Sequence, residues 1–269
     1  MKIAIFGGGV MGKTYATAFL QNKLVKPENL YLIETATEKA VELKKANLGV
    51  VLEALTPKIF DQLTMAFLCI KPQDFNSLGV ELMNRFQPET IVFSIMAGKK
   101  IAEIQAITHH NAVVRAMPNA PVLIGEGITA YITSEQITDT QKELINVILS
   151  TTGKVVSIEQ EELMDTVTAL SGSGPAYFYL FVKHLIKAGM ELGLTNETAT
   201  LLVKQTLKGS HALMKDAHFD FDAAIKNVAS PGGTTQAALD YFAKNDLENV
   251  VVQAVTLAQQ RGKALAENT

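Results

Sequence analysis

The chain has 269 residues, of which 48% are apolar and 19% charged, and its net charge is -3. That balance excludes a disordered chain, and the slight acidity excludes a general nucleic-acid surface, which needs clustered Lys and Arg to meet phosphate. A single cysteine, Cys69, excludes an internal disulfide framework, no Cys/His cluster has zinc spacing, and no run reaches the roughly 20 apolar residues of a membrane span.

The expectation is a cytoplasmic, metal-independent protein long enough for two domains; the opening MKIAIF is too short for the apolar core of a signal peptide. Residues 2–6 read as a short strand, and GGGVMG follows at once. Gly7, Gly9 and Gly12 supply the G-x-G-x-x-G spacing, with Val10 and Met11 inside it, and residues 13–23 read as a helix. Each glycine has a reason: a tight turn, close backbone approach to a pyrophosphate, and close packing of helix on strand. The helix N-terminus would then face the diphosphate with free N–H groups. The next strand, LYLIE (30–34), ends in Glu34, about where a dinucleotide fold places an acid for the adenosine ribose hydroxyls. A carboxylate there repels a 2′-phosphate and residues 35–37 contain no Arg, so NADH is favoured over NADPH.

Residues 39–48 read as a helix, and MAFLCI (65–70) and IVFSIM (91–96) as buried parallel strands. A short helix is expected over 99–107, and AVVRAM (112–117) and ITAYITS (128–134) read as further strands. Residues 138–151 read as a helix capped by Thr138 or Asp139, and GKVVSI (153–158) closes the pattern. The alternation predicts an α/β fold: a Rossmann-type, doubly wound, mostly parallel sheet over 1–159. Beyond Glu159 strand signals nearly vanish, and helices are expected over 161–172, 175–193, 196–215, 234–244 and 247–265. That predicts an all-helical domain over 160–269. Within it AYFYLFVKHLI (176–186) is apolar nearly all round, which predicts packing on two sides, inside the domain or against a second subunit.

CIKPQ (69–73), SIMAG (94–98), RAMPNAP (115–121), SGSGPAY (171–177) and SPGGTT (230–235) follow the glycine loop in that order. With them, the chain resembles the pyrroline-5-carboxylate reductases over essentially its whole length. The resemblance implies a helical dimerisation domain interlocked with that of a second subunit, with rings of dimers in many members. It also implies reduction of the cyclic imine 1-pyrroline-5-carboxylate to L-proline by NADH or NADPH. SPGGTT would turn into a helix, so the N–H groups of Gly232, Gly233, Thr234 and Thr235 would hold the substrate carboxylate, with Ser230 adding a hydroxyl. By resemblance, Thr235 would hydrogen-bond the ring nitrogen. Backbone at Cys69, Lys71 and Pro72 would line the cofactor cleft, and Ala97 and Gly98 would be small to admit the nicotinamide. Met117, Asn119 and Ser171 would wall the substrate side. SGSGPAY reads equally as a tight interhelical turn with Pro175 at a helix start.

The sequence departs from the family in lacking a His-Pro pair before SPGG and an Asn in LEALTP (52–57). Rival readings are a β-hydroxyacid dehydrogenase, a reductase of another cyclic imine, and a dinucleotide sensor without turnover. In the first a catalytic Lys follows a glycine pair by four residues, whereas here Phe178 stands four beyond Gly174. None of the five histidines has a carboxylate at motif spacing, so all read as structural.

Overall fold

Eight short strands form one sheet in the computed structural model, which describes residues 1–216 and 218–267; the last two positions of the expected 160–269 domain lie outside the described residues. They are β1 (Ile3–Phe6), β2 (Leu30–Ile33), β3 (Val50–Leu52), β4 (Met65–Leu68), β5 (Ile91–Ser94), β6 (Val113–Pro118), β7 (Gly127–Thr133) and β8 (Gly153–Ser157). Their spatial order is β3-β2-β1-β4-β5-β6-β7-β8. Strands β1 to β6 are parallel, and every residue of β1, β4, β5 and β6 is buried. Burial on both faces is why these strands read as continuous apolar runs instead of alternating ones.

Three helices cover one face: α1 (Val10–Gln21), α2 (Thr37–Lys45) and α6 (Asp139–Leu149). The other face carries α3 (Pro57–Phe60), α4 (Phe75–Leu82) and α5 (Ile101–Thr108). Alternation along β1 sends Ile3 and Ile5 to the first layer and Ala4 and Phe6 to the second. In the first layer Phe67 and Phe93, on adjacent strands, stack with ring centroids 4.5 Å apart. Full burial of each stabilises the fold by about 1.5–3 kcal/mol. This is the doubly wound α/β sheet that the alternation predicts. Helix α4 escapes the sequence pattern because Gly79 lowers its propensity. A Cβ there would come within 2.3 Å of Ile107, so glycine is needed where α4 and α5 approach.

The sheet reverses once. β7 runs antiparallel to β6, and β8 parallel to β7. The link from β6 to β7 is a 3₁₀ turn (Ala120–Ile124) ended by Gly125 at φ 74°, whereas a parallel crossover needs about a dozen residues or more. α6 supplies that crossover between β7 and β8, and its cap is Thr138, which accepts from the Gln141 N–H while Gln141 accepts from the Thr138 N–H.

After β8 the chain is helical. The helix expected over 161–172 starts as a 3₁₀ turn (Glu161–Leu163), relaxes into α7 (Met164–Val167) and widens further into a π turn (Thr168–Gly172). The regular helix gives way at Thr168, and Ser and Gly, poor helix formers, follow in SGSG. SGSGPAY thus spans the last two residues of this π turn, Ser173 and the first residues of α8 (Gly174–Glu191), with Pro175 inside its first turn. Next come α9 (Asn196–Leu213), α10 (Phe221–Val228), α11 (Thr234–Lys244) and α12 (Leu247–Glu267). α10 was not expected from the sequence; Asp220 caps it, accepting from the Ala223 N–H at 3.0 Å.

By compactness the chain divides into a unit of Met1–Ser173 with the stretch from Ala258, and a unit of Gly174–Leu257. Among the described residues of the second unit only Gly174 and Ala199 are buried. Phe178 and Tyr179 of the apolar stretch are 65% and 66% exposed in the single chain.

His110 is a structural histidine, but a buried one. Its Nε2 lies 2.6 Å from the Thr90 carbonyl, and its ring packs edge-on against Phe86. Burial lowers its pKa below the ordinary 6.5, so the unfolded chain binds the proton more tightly. The stability this gives is present above 6.5 and lost as pH falls through the folded value. Melting temperature should therefore drop between about pH 7.5 and about pH 5.5, and the drop should be smaller in His110→Gln. An equal drop in the variant would assign the acid sensitivity elsewhere.

Candidate active site

The chain leaves β1 for β2 and β3 on one side and returns to β4 on the other, so the crevice at the carboxyl ends of β1 and β4 is the point where strand order reverses. The glycine loop lies there. Gly7 continues the ladder, its N–H donating to the Ile33 carbonyl at 2.9 Å, and it holds φ at 101°. A Cβ on Gly7 would sit 2.6 Å from the Cys69 carbonyl oxygen, and one on Gly12 would sit 2.0 Å from the Gly7 carbonyl oxygen. Both glycines are dictated by backbone packed on backbone. Gly9 differs: it caps α1 in extended conformation, and a Cβ there would meet nothing within 4 Å.

Gly9 therefore leaves its side of the loop open. Val10, Met11 and Gly12 form the first turn of α1, where N–H groups lack helical partners, and no acidic side chain stands in that turn. These features fit a diphosphate in donor chemistry and in space.

Glu34 sits against the loop. Its Oε2 accepts from the Gly8 N–H at 3.0 Å and its Oε1 from the Ala36 N–H at 3.0 Å. A carboxylate has about four acceptor sites, so these bonds orient it and leave room for ribose hydroxyls. Gly8 was absent from the sequence-level candidates. A Cβ there would come within 2.3 Å of the Leu43 Cδ1 methyl and 3.3 Å of Glu34, so a larger residue would have to push Leu43 aside. Three glycines in succession were the available signal.

Further along the same edge, the Cys69 N–H donates to the Phe6 carbonyl at 2.8 Å. Lys71, exposed, precedes the 3₁₀ turn Pro72–Asp74. Burial pushes the Cys69 thiol well above its usual range, so it is an apolar filler and not a nucleophile. Ala97 and Gly98 follow β5, Ala97 exposed and Gly98 at φ 78°.

Met117 near the end of β6 and Asn119 just past it meet the π turn. Asn119 Nδ2 donates to Ser171 Oγ at 3.4 Å, and Asn119 Oδ1 accepts from the Ile128 N–H at 3.0 Å. Met117 Sδ lies 3.6 Å from where a Gly172 Cβ would stand. Ser171, some fifty residues further along the chain, thus lies beside Met117 and Asn119 within the first unit.

SPGGTT belongs to the second unit. Ser230 and Gly233 close a turn in which the Gly233 N–H donates to the Ser230 carbonyl at 2.9 Å, with Gly232 at φ 71°. A Cβ on Gly233 would lie 2.5 Å from Ser230 Oγ. Gly233 is the N-cap of α11, so Thr234, Thr235 and Gln236 present the open N–H groups of its first turn. The expected donor set shifts accordingly: the Gly233 N–H is engaged within the turn, and Gln236 enters.

Two family models match the chain. Residues 161–265 match pyrroline-5-carboxylate reductase dimerisation, and residues 2–98 match NADP oxidoreductase, coenzyme F420-dependent. The pyrroline-5-carboxylate reductase of Pseudomonas aeruginosa is 34% identical over 86% of this chain and 82% of its own. The chain belongs to the pyrroline-5-carboxylate reductase family. Two solved members cover it almost completely. That of Plasmodium falciparum, with NADP bound, is 30% identical over 99% of this chain and 98% of its own, with a TM-score of 0.87. That of Coxiella burnetii is 28% identical over 98% of each chain, with a TM-score of 0.88.

Among the described residues no group of His, Cys, Asp and Glu could hold a metal ion, and no helix is long and apolar enough to cross a membrane. Sequence reasoning also passed over Arg115, although it lies inside the quoted RAMPNAP. It is 2% exposed, and β6 carries it beneath Met117 and Asn119.

Proposed function

We propose that the protein reduces 1-pyrroline-5-carboxylate to L-proline with NADH or NADPH, the final step of proline biosynthesis. The observation that carries this is the SPGG turn at the head of α11, intact in a chain that matches pyrroline-5-carboxylate reductases end to end. It places a second anion-ready helix terminus in a protein whose glycine loop already suits a diphosphate.

In this reading the loop from Gly7 to Gly12 holds the diphosphate, and Glu34 the adenosine ribose. Backbone at Cys69, Lys71 and Pro72, with Ala97 and Gly98, borders the nicotinamide half. The first-turn N–H groups of α11 and the Ser230 hydroxyl bind the substrate carboxylate, and Thr235 Oγ1 fixes the ring nitrogen. Met117, Asn119 and Ser171 exclude water from the imine carbon. The dinucleotide, when bound, supplies the hydride. A protonated imine is already electrophilic, so the side chains orient it and keep the site dry.

Glu34 favours NADH. Its carboxylate is held against the loop by the Gly8 and Ala36 N–H groups, so a 2′-phosphate would meet a fixed negative charge. Glu34→Ser should raise the NADPH-to-NADH ratio of kcat/KM about tenfold, from loss of a close like charge. An unchanged ratio would show that the charge does not discriminate.

In this reading residues 1–159 serve the dinucleotide and 160–269 substrate and assembly. The second copy of this chain is the partner that the exposed apolar helices call for, because so small a buried interior does not sustain the helical unit. A ring of such dimers rests on the resemblance alone, and cytoplasmic location on composition. The test is oxidation of NADH, then NADPH, by purified protein with pyrroline-5-carboxylate. Dinucleotide binding without turnover would favour another cyclic imine or a sensor.

A further inference from the structure

We propose that Arg115 is a positioning residue for hydride transfer: by pairing with Glu161 and Asp165 it locks three walls of the site in one register. The inference rests on the reductase reading above. Strand alternation sends Val114 and Ala116 to one layer and Val113 to the other, so Arg115 and Met117 project from the α5 face of β6. Arg115 Nη1 lies 3.1 Å from Glu161 Oε1, and its Nη2 lies 3.2 Å from Asp165 Oδ1. Glu161 Oε1 also accepts from the Ile101 N–H at 2.8 Å, and so holds the head of α5 just beyond Ala97 and Gly98.

The ties close a ring. Arg115–Asp165 joins β6 to α7, and Asn119–Ser171 joins the end of β6 to the π turn that continues from α7. Two rigid runs linked at both ends leave Met117 and Ser171 little freedom to separate. The guanidinium suits this work because its planar fork reaches two carboxylates in fixed directions, which an ammonium cannot do. A purely stabilising reason is weak, since a buried ion pair roughly breaks even against apolar packing. Arg115 Nε is moreover buried without a hydrogen-bond partner, an arrangement that apolar side chains would avoid.

The experiment uses the full-length protein and compares Arg115→Lys, Glu161→Gln and Asp165→Asn with wild type. Glu161→Gln retains an acceptor for the Ile101 N–H, and both carboxylate variants leave one partner for the arginine, so they keep the test alive if Arg115→Lys does not fold. Positioning predicts NADH affinity within about twofold of wild type and kcat lower by about tenfold or more, since small misplacements at the reacting centre cost that much. It also predicts a larger primary isotope effect on kcat/KM with NADH deuterated at C4, because the chemical step becomes slower than release. Folded variants that melt earlier but keep kcat and the isotope effect would overturn the proposal and leave Arg115 purely structural. Failure of the wild type to reduce pyrroline-5-carboxylate would instead overturn the parent reading.

Discussion

Gly12→Ala should bind dinucleotide about ten- to a hundredfold more weakly than wild type and melt at a lower temperature, because the loop cannot accept even one methyl group. The Cβ would stand 2.0 Å from the Gly7 carbonyl oxygen, and Gly7 is itself anchored by its N–H on the Ile33 carbonyl. Backbone meets backbone, so no rotamer change relieves the clash. Either α1 lifts from β1, or Gly7 leaves a conformation at φ 101° that the crevice needs. Overpacking of this kind costs about 1–3 kcal/mol, and displacing α1 also removes the N–H groups that face the diphosphate.

Gly9→Ala is the control. A Cβ there meets no protein atom within 4 Å, so melting should not change. Dinucleotide affinity should still fall by about tenfold, because the methyl group enters the space through which a pyrophosphate approaches the backbone. Calorimetric titration with NADH and a thermal melt separate the two effects. Wild-type affinity in Gly9→Ala would mean that the diphosphate does not sit at this loop.

Thr235→Ala should lower kcat/KM for pyrroline-5-carboxylate by about ten- to a hundredfold, the worth of one hydrogen bond to a charged group. Thr235 occupies the first turn of α11, where its N–H survives the substitution and only the hydroxyl is lost. NADH affinity should not move, since the glycine loop and Glu34 belong to the other unit. Thr235→Ser keeps the hydroxyl and should recover most of the rate. Steady-state kinetics on the three proteins decide it: full activity in Thr235→Ala removes the hydroxyl from the mechanism, and failure of Thr235→Ser to recover would assign the loss to the missing methyl group.

Much of this protein was legible in its amino acids because the relevant chemistry is local. The spacing of Gly7, Gly9 and Gly12, the strand before them, the helix after them and Glu34 at the next strand end lie within a short stretch of chain, and each has a backbone reason at its own position. The parallel sheet was legible because strands covered on both faces must be apolar throughout. The reversal at β7 was present too, in a link between strands too short for a crossover, but it is recognised only once β6 and β7 are known to be neighbours.

What the sequence by itself determined, then, is the α/β frame, a glycine loop at one helix head and a second glycine turn at another. Only the tertiary structure decided how those parts are supported. It brought Glu34 onto the Gly8 N–H and joined Arg115 to Glu161 and Asp165. It also left the apolar helix α8 exposed in the single chain, a feature that asks for a second copy. Propensity and spacing act between residues within a turn or a strand of each other. An ion pair spanning 46 or 50 residues has no periodicity to reveal it, and it exists only because the sheet has carried β6 beneath α7.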